Sequence, residues 1–150
     1  MSIKLPQSKS LFFTQILIYV ILCMLIAGLV IIPICTEWYD AVSGQKPIAT
    51  ILNICGYLCD VIGFVAIIQL HHLLNNIRKQ EIFTEKSVTC LRVISWCCFG
   101  IAMICGVLGF WRSLAWLITF AAGFFGMLMC VLKNVFSLAV ELRQENDYTI

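Results

Sequence analysis

Four stretches of this chain, residues 11–35, 48–74, 91–110 and 114–132, are almost wholly apolar and carry no Lys or Arg in their interiors. Each has the roughly 20 residues that an α-helix needs to cross a hydrocarbon core of about 30 Å. Backbone polar groups in lipid must be satisfied within the segment, so runs of this length are helices. The composition agrees: 61% of residues are hydrophobic and 12% charged, against about 45–50% and 25% in soluble domains. A chain this apolar cannot cover a soluble surface with polar groups. That excludes a soluble enzyme, a disordered tail and direct nucleic-acid binding, and a net charge of +2 argues for no polyanion partner. The expected fold is an all-α integral membrane protein. Residues 1–150 form one domain, an antiparallel four-transmembrane-helix bundle whose first partner is the lipid bilayer.

The basic residues set the expected orientation. Lys4 and Lys9 precede the first span, Arg78, Lys79, Lys86 and Arg92 lie between or flank spans two and three, and Lys133 and Arg143 follow span four. Only Lys46 and Arg112 fall on the other side. Both termini, the loop 75–90 and the tail 133–150 are therefore expected in the cytoplasm of a multi-pass plasma-membrane protein. Trp38, Tyr39, Trp111 and Trp116 cluster at the outer boundary, as in an aromatic belt. Span one reads as a retained helix: its apolar run exceeds the usual 7–15 residues of a signal peptide, and no A-x-A site follows. The outer loop 36–47 is expected to be short and partly ordered by its aromatics. The turn 111–113 is so tight that spans three and four form a hairpin.

Inside the spans, Asp60 is the one deeply placed acidic side chain. It lies near the bilayer centre, where an Asp costs about 2.5–3.5 kcal/mol, so it is expected to face other helices. Asn53, Gly56, Asp60, Gly63 and His71 share its helix face, which is then the packed or water-accessible side. Two roles compete. Asp60 either binds a cation or carries a proton, with His71 or His72 continuing the path, or a protonated or hydrogen-bonded Asp60 fixes helix packing. No second intramembrane acid accompanies it, so a relay would need a homodimer. Adjacent histidines point about 100° apart and chelate one metal poorly. The nine cysteines are odd in number, mostly within the spans, and read as small hydrophobes rather than a disulfide framework. Small-residue faces on span three (Ser95, Cys98, Ala102, Cys105, Gly109) and span four (Thr119, Gly123, Gly126, Cys130) describe helix packing. No phosphate loop, nucleophile–base pair or metalloprotease signature appears. No catalytic residue, cofactor or metal site is expected.

The polar stretch around residues 75–87 is the most informative one outside the spans. Thr84 is placed to cap a helix that begins near Glu85, well before lipid is reached at Leu91. Ile82 and Phe83 would fold back at the membrane surface or against the bundle. Span four is expected to continue past Lys133: Val135, Leu138, Ala139 and Leu142 keep helical spacing, with Glu141, Arg143 and Glu145 toward water. Residues 146–150 are expected to leave that helix as a tail.

These segments carry a resemblance. The run LNNIRKQEIFTEKSVTCLRVISW (74–96) and the ending ENDYTI (145–150) are similar to those of a bacterial family of small four-span membrane proteins, the domain-of-unknown-function 2975 family. Tyr148 stands where Leu is usual and Ser87 where Asn is common. The resemblance implies no activity. Because such genes often lie beside one for a small cytoplasmic helix-turn-helix regulator, it implies a regulatory membrane partner of that protein. The residues expected to bind it are Arg78, Lys79, Ile82, Phe83, Thr84, Asp147, Tyr148, Thr149 and Ile150. The alternative is a small dimeric ion-coupled carrier or channel subunit using Asp60. A third reading, protection against a membrane-active peptide, leaves no trace in the residues.

Overall fold

The computed structural model describes residues 5–44, 48–79 and 83–149, with no strand among them. Four helices follow in chain order: α1 Leu5–Ser43, α2 Ala49–Arg78, α3 Glu85–Leu108 and α4 Leu114–Tyr148. Each is long and apolar enough to cross a membrane. This is a multi-pass, all-helical membrane protein. The start of α1, the α2–α3 connection and the end of α4 lie at one end, the termini end. The α1–α2 connection and the α3–α4 turn lie at the other. Among the described residues, backbones approach closely only between neighbours in sequence: α1 with α2, α2 with α3, and α3 with α4. The helices thus stand as a row with α1 and α4 at its edges. Because α3 has a neighbour on both sides it holds much of the core, where Cys90 and Leu91 pack with Leu73 of α2 and with Met129 and Phe136 of α4.

α1 runs 39 residues, so most of the expected outer loop is helix: residues 36–43 continue α1, and residues 45–47 lie outside the described ones. Nothing between Thr36 and Ser43 breaks a helix. Gly44, at φ 60°, is the first residue suited to the left-handed turn that ends one. Pro33 sits inside α1 and has no N–H for the carbonyl of Leu29, one turn back. α2 supplies the missing donor, as the Tyr57 hydroxyl donates to Leu29 O at 3.1 Å. A proline inside a lipid-crossing helix is tolerated because a neighbour satisfies the freed group.

α3 begins at Glu85 with Thr84 as N-cap in extended backbone. Thr84 Oγ1 accepts from Ser87 N–H at 3.4 Å, and Ser87 is fully buried. The cap thus fixes where the chain turns into α3. Thr84→Ala is expected to cost about 1 kcal/mol, read as a lower unfolding midpoint in detergent, with Thr84→Asp restoring most of it.

α4 departs from expectation at its end. Residues 146–148 do not leave the helix, which ends on Thr149 with Thr149 N–H donating to Asn146 O at 3.3 Å. Val135, Leu138 and Leu142 stand exposed, while Val140 of the same stretch is buried against α3.

Candidate functional site

Three polar constellations are built on this row. The first is the α1–α2 seam. Thr36 Oγ1 of α1 donates to Asn53 Oδ1 of α2 at 2.7 Å. One turn further on, a Cβ at Gly56 would lie 3.0 Å from Ile32 of α1, and one at Gly63 would lie 3.1 Å from Leu25. Between them a Cβ at Gly28 of α1 would sit 3.1 Å from Asp60 Oδ1, and near the termini end the ring of Tyr19 lies 6.1 Å from that of His71. The polar stripe on α2 is therefore the packed side, in antiparallel register with α1. Asp60 faces the bundle interior at 8% exposure. Its Oδ2 is buried with no hydrogen-bond partner among the described residues. A buried acceptor without a donor costs about 1–3 kcal/mol, so Asp60→Ala is expected to leave the folded protein at least as stable as it is. A loss above about 1 kcal/mol in reversible unfolding would show that Oδ2 has a donor after all.

The histidines lie toward the termini end of α2. His71 is half-buried against Tyr19, while His72 is exposed. The two rings meet edge to face at 6.4 Å. Among the described residues no cluster of three His, Cys, Asp or Glu side chains is arranged to hold a metal.

The second constellation lies at the end opposite the termini and was missed in the sequence. Arg112 in the α3–α4 turn donates through Nη2 to Asp40 Oδ1 of α1 at 2.8 Å, with both side chains buried. The Ile48 N–H donates to the other carboxylate oxygen, Oδ2, at 2.7 Å. The guanidinium also lies 5.2 Å from the centre of the Tyr39 ring, within cation–π range. One carboxylate thus ties the end of α1, the entry to α2 and the α3–α4 turn together. The available signal was an acid and a base in the two connections at the same end.

The third is a groove at the termini end between the start of α3 and the extension of α4. Phe83, Thr84, Glu85 and Lys86 line one side, and Val140, Arg143, Gln144 and Asp147 the other. Phe83 packs on Phe136 with ring centres 5.6 Å apart, so it folds against the bundle. A second polar hollow on the same helix pair places Arg92 and Glu85 opposite Glu141. Glu141 therefore faces α3 as well as water.

Of the residues expected to bind a partner, Phe83, Thr84 and Asp147 come together in the groove. Arg78 is elsewhere, donating through Nη1 to Gln15 of α1 at 3.4 Å, and Lys79 closes α2. Tyr148 stands out at 90% exposure, and Thr149 caps α4. Ile82 and Ile150 lie outside the described residues.

A family model described as "Protein of unknown function (DUF2975)" matches residues 36–150. The chain belongs to the DUF2975 family. The matched stretch of this DUF2975 protein takes in the last two turns of α1, the Asp40–Arg112 clamp, Asp60 and the termini-end groove. The lipid-crossing part of α1 precedes it. No curated protein and no solved structure matches the chain.

Proposed function

We propose that this DUF2975 protein is a non-enzymatic regulatory membrane protein whose termini end faces the cytoplasm and holds a small soluble helix-turn-helix regulator. The supporting observation is the groove between Phe83–Lys86 and Val140–Asp147. A hairpin needs no such structure to cross a membrane. α4 runs 16 residues past Leu132, about 24 Å of helix at 1.5 Å per residue, and raises a polar and aromatic surface clear of the lipid. The eight basic residues at that end support its placement in the cytoplasm. The family resemblance supplies the partner's class.

The test is photocrosslinking in native membranes from Phe83 and Tyr148, followed by mass spectrometry. Recovery of one small DNA-binding protein at Tyr148, lost on Phe83→Ala with Arg143→Glu, supports the reading. Recovery of lipid alone at both positions, with the chain folded, overturns it.

The orphaned Asp60 Oδ2 favours one second reading, an ion-coupled carrier. Against it, the face that bears Asp60 is closed by α1 and lines none of the grooves described above. Proton- or cation-driven flux in proteoliposomes, abolished by Asp60→Asn, would establish it. Absence of flux with the native chain would retire it.

A further inference from the structure

The polar hollow between the start of α3 and the extension of α4 has its charges in a definite order. It holds about 530 Å³, with Glu85, Thr89 and Arg92 on one wall and Ser137 and Glu141 on the other. Arg92 lies at the lipid end, next to Leu91, where the third apolar span begins. Glu85 stands seven residues farther out, about 10 Å along α3, and Glu141 nine residues past Leu132, where the fourth span ends. Lys133, one turn nearer the lipid than Ser137 on the same stripe of α4, adds a second cation at the level of Arg92. Cations therefore mark the lipid end and carboxylates the water end.

The antiparallel walls decide where these groups reach. Side chains tilt toward the N-terminus of their helix. α3 begins at this end and α4 ends here, so Arg92 reaches out of the hydrocarbon while Glu141 leans back toward it. They converge without pairing: among the described residues Arg92 makes no ion pair with either acid. The headgroup layer adds about 5–7 Å to each side of the hydrocarbon, so the lower half of the hollow lies within it. A fitting occupant has an anion at the hydrocarbon boundary and a hydrogen-bonding cation outside it. A phospholipid carries its phosphate and headgroup amine in that order. Below the hollow, Trp96 is one turn past Arg92 on the same stripe of α3 and 72% exposed, a flat apolar surface for the acyl chains.

We propose that this hollow binds a zwitterionic phospholipid with a primary amine, of the phosphatidylethanolamine class. Arg92 holds the phosphate, with the exposed Ser137 hydroxyl as a second donor, and Glu141 and Glu85 accept from the ammonium. Hydrogen bonds between such charged groups are the strong ones. An anionic headgroup without an amine leaves two carboxylates beside its own charge with nothing to offset them. A choline headgroup brings a cation but no N–H to donate. The hollow adjoins the groove assigned to the regulator and shares Glu85 and Val140 with it. Lipid binding needs no regulator, so either reading can fail alone.

The test is native mass spectrometry of the purified full chain, released from nanodiscs with equal amounts of phosphatidylethanolamine, phosphatidylcholine and phosphatidylglycerol of identical acyl chains. One phosphatidylethanolamine per chain is expected to stay bound, favoured about tenfold over either competitor, the worth of one charged hydrogen bond. Arg92→Gln is expected to release phospholipid of every headgroup, and Glu141→Lys to turn the preference toward phosphatidylglycerol. Both side chains are exposed, so helicity and the unfolding midpoint are expected to hold. The headgroup comparison on the unmodified chain stands without either variant. No retained phospholipid, equal or greater retention of a competitor, unchanged retention in Arg92→Gln, or an unchanged preference in Glu141→Lys would each overturn the proposal.

Discussion

Arg112→Ala is expected to lower the stability of the folded protein by about 3–5 kcal/mol. The reason is what it leaves behind. Asp40 is buried with its two oxygens committed, one to Arg112 at 2.8 Å and the other to Ile48 N–H at 2.7 Å. Without the guanidinium, a carboxylate stays in a site built for a cation, and the Tyr39 ring loses the charge that stands 5.2 Å from its centre. Asp40→Leu combined with Arg112→Met is expected to recover most of that loss, because exchanging a buried ion pair for apolar groups of similar size is often close to neutral. About 1 kcal/mol of it remains, for the Ile48 N–H left without its acceptor. The check is reversible unfolding of both variants in bicelles. A single-variant loss under about 1 kcal/mol, in the range of solvent-screened surface pairs, would show that water reaches the clamp.

The second large effect is expected at the other tight contact in the row. A Cβ at Gly126 would lie 3.1 Å from Phe99 Cε1 and 3.3 Å from Cys98 Cβ, and Ser95 Oγ donates to Gly126 O at 3.0 Å. Gly126→Leu must push α4 off α3, which breaks that bond as well as overpacking the seam. About 3 kcal/mol or more is the expected cost, read as loss of the unfolding transition or a fall in its midpoint. Ser95→Ala, which removes only the hydrogen bond, is expected to cost about 0.6 kcal/mol. Equal losses in the two variants would mean that the hydrogen bond, not the close approach, holds the pair.

The number of helices and the positions of their lipid-crossing parts were legible because hydropathy over 20 residues is a strong signal and lipid leaves the backbone one solution. Local chemistry was legible where a single residue type decides it: Thr84 caps α3, Asp60 turns inward, and Lys133 does not end α4. Resemblance to the DUF2975 family could be read from residues 74–96 and 145–150, and the family match over residues 36–150 bears it out. What failed were choices between neighbours. Helical spacing put Asn53, Asp60 and His71 on one face but could not say that α1 would cover it. The same spacing put Val135, Leu138 and Leu142 together but could not say that Val140, and not they, would pack on α3. Arg112 was counted only as a basic residue on the minority side, because its partner Asp40 lies 72 positions away. The end of α1 was misjudged because Glu37, Trp38, Tyr39 and Asp40 suit a water-facing loop in composition, though each fits a helix that outruns the bilayer.

The row arrangement bears on how the molecule is made. A ribosome delivers α1 first, and each later helix meets its whole packing partner already in the membrane. No segment has to wait unpaired in lipid for one synthesised much later, so docking can keep pace with insertion and few wrong pairings compete. The exception is Asp40, whose cation arrives only with the turn before α4. Until then its carboxylate stays at the watery rim of the bilayer. The clamp can close once the turn after α3 has emerged, and its closure registers that α1, α2 and α3 have crossed in the right order.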